Sequence, residues 1–291
     1  MGILDKERIA KSCLCCGSTE LIRSPAIIMP FVADRALNSP PVLIDESWGL
    51  TTIPKGSAYS LCHSLGCKKC GFIFLDLRFS DAEMTALYKD YRGEEYTTLR
   101  EKYEPGYRAR NVSLNNGVSF IKEVEDFLTP HLTFPAQILD WGGDTGVNSP
   151  FSSCRSLLHI YDISNKRVIE GAVAVDFDTV KKNSYSLLVC SQVLEHVPYP
   201  AEVLQSIAGV MNSDTVLYVE LPVEKIILQD HDVGQTVLKK RHWHEHINFY
   251  AEDSLRSLLN LCGFEILDLK ILGVPMNGEI VNIYQLAAKL L

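Results

Sequence analysis

The sequence predicts an α/β protein, with a doubly wound, mostly parallel sheet preceded by a small cysteine-rich unit. Three observations lead there. Short apolar runs alternate with helical patterns through the second half of the chain. One of these runs ends in an acid and a glycine-rich turn, Asp140-Trp141-Gly142-Gly143-Asp144-Thr145-Gly146. Six of the nine cysteines lie within the first 70 residues.

A chain of 291 residues is long enough for a core domain and a small appendage. With 46% hydrophobic and 22% charged residues its composition is that of a globular protein. No apolar run approaches the ~20 residues that span a bilayer; the stretch Ala26 to Ala33 is short and broken by Pro30. Met1 to Glu7 has no basic-then-apolar secretion signal, so a cytoplasmic location is expected. The net charge of -8 argues against a broad phosphate-binding surface, and a nucleic-acid partner is not expected. The one tight basic cluster, Lys239-Lys240-Arg241, reads as a solvated turn or helix end.

The cysteines Cys13/Cys16 and Cys67/Cys70 form two C-x-x-C pairs, each followed by a glycine, Gly17 and Gly71. This is zinc-knuckle spacing. A tight turn aims both thiolates at one ion, and the glycine lets the backbone bend behind them. Two knuckles supply the four ligands of a closed structural zinc site. Cys15, Cys62 and His63 are rival ligands. An odd cysteine total makes a disulfide framework unexpected, and neither pair has the strand-then-helix setting of a redox motif.

Between the knuckles, Asn38-Ser39-Pro40-Pro41 and Pro54-Lys55-Gly56-Ser57 read as loops. After Cys70, Gly71 to Asp76 reads as a strand, and Ser80 as the N-cap of a helix. Tyr88, Tyr91, Tyr96, Tyr103 and Tyr107 then suit either a substrate-facing lid or packing between two units. The expected division is a zinc-binding domain over 1–78, a helical, tyrosine-rich connector over 79–111, and a cofactor domain over 112–291. Val112 to Leu128 has helical apolar spacing.

In the cofactor domain, Gln137 to Asp140 is the expected first strand. Leu157 to Asp162 is the second, ending in an acid suited to a ribose diol. A third acid follows in Val175-Asp176-Phe177-Asp178. Ser186 to Cys190 and Thr215 to Pro222 are further strands. Glycines at 142, 143 and 146 do not meet the G-x-G-x-x-G spacing of a dinucleotide site, and Asp140 would repel a pyrophosphate. A carboxylate there suits a cofactor with a cationic amino-acid end, which favours S-adenosylmethionine over NAD.

Leu139 to Gly146 resembles motif I of the class I S-adenosylmethionine-dependent methyltransferases, which have a Rossmann-like fold. The resemblance implies cofactor contacts from Asp140, Gly142, Gly143, Asp144, Gly146, Asp162, Ile163, Asp176, Phe177, Ser191 and Gln192. Val193-Leu194-Glu195-His196-Val197-Pro198 resembles the stretch after the fourth strand. Asp144 replaces the middle glycine of motif I, so its carboxylate either reaches the cofactor's amino group or weakens binding. The cysteine-rich head is similar to that of bacterial sugar C-methyltransferases, and Trp243-His244-Glu245-His246 resembles their Tyr-His-Glu-His stretch. That likeness implies a general base at His246 and substrate orientation by Glu245, with His196 as a further catalytic candidate.

Methyl transfer is an in-line displacement at a sulfonium, so the protein aligns the nucleophile and takes its proton. Histidine suits this, with an ordinary pKa of ~6.5. Four of the eight histidines, His231, His242, His244 and His246, lie close together. A metal site built on the last three requires a strand to bring them to one face. The expected acceptor is a small hydroxylated metabolite, a sugar or nucleotide-sugar. The alternatives are a protein or RNA acceptor docked through the zinc domain, and a non-catalytic protein that keeps the fold.

Overall fold

Two sheets organise the chain. The computed structural model describes residues 7–41, 45, 49, 62–115, 117–164, 166–229, 232–276 and 279–291. Met1 to Lys6, Pro54 to Ser57 and His231, which carried expectations above, lie outside the described residues.

The elements run in chain order as β1 (Leu21–Ile28), α1 (Pro30–Leu37), β2 (Cys62–Cys67) and β3 (Ile73–Leu75), then α2 (Asp81–Tyr88), α3 (Glu94–Tyr103), α4 (Tyr107–Asn115) and α5 (Ile121–Leu128). Next come β4 (Ile138–Trp141), β5 (Leu158–Tyr161), β6 (Val173–Ala174), α6 (Phe177–Lys182), β7 (Leu187–Ser191), α7 (Pro200–Ala208) and β8 (Val216–Val223). An excursion of α8 (Lys225–Gln229), α9 (Val233–Lys239), β9 (His242–Trp243) and β10 (Asn248–Phe249) follows. The chain closes with α10 (Glu252–Leu261) and the antiparallel pair β11 (Phe264–Met276) and β12 (Glu279–Leu290).

The larger sheet has the order β6-β5-β4-β7-β8-β12-β11. Its first five strands are parallel, and β12 runs antiparallel to β8. From β4 the order proceeds outward to β5 and β6 on one side and to β7 and β8 on the other. The β4/β7 junction is therefore the switch point, where a crevice opens beyond the carboxyl ends of the strands. Leu187 to Cys190 and Val216 to Leu221 are buried without alternation, as strands covered on both faces must be. This is the doubly wound α/β fold that the alternating pattern predicts. The helical spacing over Val112 to Leu128 is split in two, between α4 and α5. Gly117, between them, adopts a left-handed conformation at φ +87° that a continuous helix forbids.

The smaller sheet has the order β10-β3-β2-β1-β9. Both of its edges come from the excursion after β8. β9 runs parallel to β1, and β10 runs antiparallel to β3. Residues 244–247 therefore cross from one edge to the other. Buried Trp243 anchors the crossing and donates from Nε1 to Ser64 Oγ at 2.8 Å. Ser80 caps α2 as expected, in a reciprocal capping box with Glu83. Arg78, fully buried, ties the two sheets together by donating to the carbonyls of Leu75, Val197 and Pro198 and to Asn248 Oδ1. Among the described residues no helix is long and apolar enough to cross a membrane.

Candidate functional site

The glycine turn after β4 is the first part of the site. Gly142 and Gly146 have φ of +81° and +80°. A Cβ on Gly142 would stand 2.6 Å from Val193 Cγ2, and one on Gly143 would stand 2.5 Å from Asp140 Cγ. The turn is thus pressed between the loop after β7 and the Asp140 carboxylate beneath it. Asp140 is buried and accepts from Ser149 Oγ, and burial pushes its carboxyl up to about 7. Asp144 stands at φ +51° and pairs with Lys166 Nζ at 2.8 Å, so its charge is met from within the chain.

Asp162, at the tip of β5, accepts from the amide of Asp144 at 2.9 Å and from that of Ser164 at 2.7 Å. Each oxygen keeps a lone pair, enough to receive a vicinal diol. Beside it Ile163 is 66% exposed, and Phe177 is 36% exposed. Two open apolar faces flanking a diol acceptor fit an adenosine. Phe177 also packs against Trp141 and Tyr161. Asp176 caps α6 through Thr179, which leaves one oxygen for another donor. These residues fit S-adenosylmethionine: a turn with no room for side chains, a diol acceptor, and apolar surface beside it.

Ser191 and Gln192 lie at the carboxyl end of β7, where Gln192 adopts φ +55°. Ser191 Oγ and Gln192 Nε2 both donate to Glu220 Oε1, at 2.9 and 3.2 Å, while Tyr218 donates to Oε2. Glu220 thus fixes the floor beside the turn. Its only sequence signal was an acid inside the apolar run of β8.

Beyond Val193 the same loop carries Glu195 and His196. The amides of Ile247 and Asn248 donate to the Glu195 carbonyl, at 2.8 and 3.1 Å, which brings the 244–247 crossing onto this loop. The rings of His196 and His246 meet edge to face, 4.6 Å between centroids. His246 Nδ1 donates to Glu224 Oε1 at 2.8 Å. His196 Nδ1 lies 2.8 Å from the Tyr88 hydroxyl and 3.2 Å from the Glu245 carbonyl. A carbonyl only accepts, so this nitrogen carries the proton. The carboxylate of Glu195 is 1% exposed, and among the described residues no other residue donates a hydrogen bond to either oxygen.

The electrostatics separate the two rings. Burial holds His196 well below the ordinary histidine value, reinforced by the charge of His246. Burial acts in the same direction on His246, but the Glu224 hydrogen bond and the carboxylates of Glu195 and Glu245 outweigh it and raise its pKa. Burial pushes Glu195 up to about 7, with His246 pulling the other way. The Glu245 carboxylate is held by α3. It accepts from Tyr96 at 2.8 Å and from Arg100 Nη2 at 2.9 Å, with a second, shorter contact to Arg100 Nη1. Tyr96 and Tyr107 are buried around this pair, in the apolar cluster that also holds Phe31, Ile73 and Trp243 of the small-sheet side. His242 is exposed and His244 turns to Glu104, so neither joins His246.

The four cysteines of the two pairs converge. Cys13 and Cys70 Sγ are 3.5 Å apart, Cys16 and Cys67 Sγ 3.6 Å, and all four sulfurs lie within 4.8 Å of one another. Tetrahedral zinc with bonds of about 2.3 Å sets its sulfurs roughly 3.8 Å apart, so the donor set fits the ion. Two of the rivals are engaged elsewhere, while the Cys15 side chain turns to Cys13 inside the cluster. Cys62 donates to the Ala26 carbonyl, and His63 pairs with Asp76. Cys15 is buried in the core, and its amide points at Cys13 Sγ.

A methyltransferase-domain family model matches residues 116–269, more than half of the chain. The chain belongs to this methyltransferase family. With the strand order above, it is an enzyme of the S-adenosylmethionine-dependent class. Among curated proteins none matches it. Solved structures similar to it include an S-adenosylmethionine-dependent methyltransferase from Methanosarcina mazei, at 15% identity and TM-score 0.40 over 57% of this chain and 97% of that one. Another is the 1,6-didemethyltoxoflavin N1-methyltransferase of Burkholderia thailandensis, at 13% identity and TM-score 0.45, over 80% of this chain and 97% of that one. A third is the magnesium protoporphyrin IX methyltransferase of Synechocystis, at 15% identity and TM-score 0.42, over 69% of this chain and 94% of that one.

Proposed function

We propose that the protein transfers a methyl group from S-adenosylmethionine to a hydroxyl-bearing small metabolite, a sugar or nucleotide-sugar, at the seam between the two sheets. The observation that carries this reading is the His246–Glu224 pair, packed on His196 of the same loop whose Val193 covers the glycine turn. Bound S-adenosylmethionine supplies the electrophilic methyl. Gly142, Gly143 and Gly146 let it approach the backbone, and Asp162 receives its ribose. Ile163, Asp176, Phe177, Ser191 and Gln192 line the remainder, with Asp140 under the turn.

His246 is the base. Its Nδ1 proton is held by Glu224, so the Nε2 lone pair is left to take the acceptor's proton, and the imidazolium that forms is stabilised by the same carboxylate. His196, kept neutral by burial, lines the acceptor side. Glu245 is a positioning residue. Its ion pair with Arg100 fixes the crossing that presents His246. The small sheet, with one zinc on Cys13, Cys16, Cys67 and Cys70, forms the opposite wall. The division into a zinc-binding unit over 1–78, a connector over 79–111 and a catalytic unit over 112–291 belongs to this reading, with β9 and β10 completing the first unit. The charge of -8 disfavours an RNA acceptor.

The test is His246→Ala, assayed by methyl transfer from labelled donor into metabolite extracts. Turnover falls by at least about 100-fold while donor affinity is unchanged. Turnover that survives refutes the base assignment.

A further inference from the structure

Glu195 is the anomaly of the site. A carboxylate buried without a partner is costly, and a fold retains one where something else supplies the partner. Two histidines stand beside it, His196 next to it on the same loop and His246 across the seam. One ligand atom from each of Glu195, His196 and His246 lies within 4.8 Å of the others, and His196 Nε2 is 3.9 Å from Glu195 Oε1. We propose that Glu195, His196 and His246 bind a divalent transition-metal ion, separate from the cysteine cluster, through a Glu195 oxygen and the two Nε2 atoms.

Three features support the site. The first is the donor set. Two imidazoles and one carboxylate suit borderline ions such as Zn²⁺ and Co²⁺ and leave positions open for water. Ligand atoms around such an ion stand roughly 3.4 Å apart, so loading needs a contraction of about an ångström. The second is the outer partners. The Glu224 carboxylate holds His246 Nδ1, and the Glu245 carbonyl and Tyr88 hydroxyl hold His196 Nδ1. Committed Nδ1 atoms leave both Nε2 lone pairs to a metal, the arrangement that orients histidine ligands elsewhere. The third is access. The His246 side chain is 37% exposed, while Glu195 is sealed, which gives an ion an entrance and a dry carboxylate to bind.

The consequence for turnover rests on the functional reading above. A metal on His246 Nε2 takes the lone pair assigned to the acceptor's proton, so ion and acceptor exclude one another.

The test is a Co²⁺ titration of the full-length protein whose cysteine cluster is already filled with zinc, followed by visible absorption and calorimetry. One further equivalent binds, without the thiolate-to-cobalt charge-transfer band of a cysteine site. Its affinity falls at least about tenfold in Glu195→Gln and in His246→Ala and is retained in His242→Ala, which removes an exposed histidine nearby. Near-ultraviolet circular dichroism shows that the variants are folded. No further equivalent, a charge-transfer band, or equal affinity in Glu195→Gln overturns the site. The titration contains neither methyl donor nor acceptor. Its failure therefore leaves the methyl-transfer reading standing, and a failed turnover assay leaves the metal site standing.

Discussion

The Nδ1 atom of His246 lies 2.8 Å from Glu224 Oε1, joining the crossing between β9 and β10 to the end of β8. Glu224 therefore orients the ring and stabilises its charged form. Glu224→Gln keeps the shape and removes the charge. We expect kcat to fall about 10- to 100-fold, with donor affinity unchanged by calorimetry. An unchanged kcat would remove Glu224 from the mechanism.

Glu245 and Arg100 form an ion pair with side chains only 8% and 13% exposed. Removing one partner strands the other in a dry setting, which costs about 3 kcal/mol. Glu245→Ala and Arg100→Ala should each lose stability of that order in urea denaturation. Arg100→Met with Glu245→Leu should recover much of the loss, because both buried charges are then gone. Glu245→Gln that remains as stable as the parent yet loses turnover would instead make Glu245 a catalytic group.

Gly142 combines a left-handed φ with a Val193 methyl only 2.6 Å from where a Cβ would sit. Gly142→Ala therefore displaces the turn. Affinity for S-adenosylmethionine should fall by about tenfold or more, and stability by about 1–2 kcal/mol. Gly263→Ala is the control, since Gly263 has a similar φ of +82° but no atom within 4 Å of a Cβ. It should lose stability alone.

Burial of Asp140 raises its carboxyl to about 7, against an ordinary value near 4. The protonated form is favoured in the folded state, so this contribution is fully present below about pH 4 and is lost as pH rises through 7. Asp140→Asn removes the dependence. Its stability relative to the parent should increase between pH 4 and 8, by up to about 4 kcal/mol. A difference independent of pH would mean that Asp140 is already ionised in the fold.

Cys13, Cys16, Cys67 and Cys70 should hold one zinc. Cys16→Ser or prolonged exposure to a strong chelator should lower zinc content by one equivalent and loosen the small sheet, seen as lost hydrogen-exchange protection in β1 to β3. Because β9 and β10 complete that sheet, turnover should fall with it. A protein that keeps its protection without metal would make the cluster a set of buried thiols.

The parts of this arrangement that were legible in the sequence are local. The turn after β4, the acid at the tip of β5 and the two cysteine pairs are each set by residues close in the chain, where backbone geometry and ligand spacing leave a pattern. The Ser80 capping box is of the same kind. Long-range relationships left none. β9 and β10 are two residues each, too short to carry an alternation, so nothing marked residues 242–249 as edges of the first sheet. Glu224 pairs with a residue 22 positions away, and Arg100 with one 145 positions away. Glu195 and His196 lay in a recognised motif, but the isolation of the Glu195 carboxylate depends on what packs around it. Within 112–128, apolar spacing ran through Gly117 and concealed a break that φ alone reveals.

The central claim is that the β4 turn and Asp162 bind S-adenosylmethionine. Isothermal titration of the full chain tests it most directly. The account predicts a single site with a dissociation constant in the micromolar range, weakened at least about tenfold in Asp162→Ala, which removes the proposed ribose acceptor. No binding at millimolar S-adenosylmethionine, or equal binding by Asp162→Ala, would contradict it.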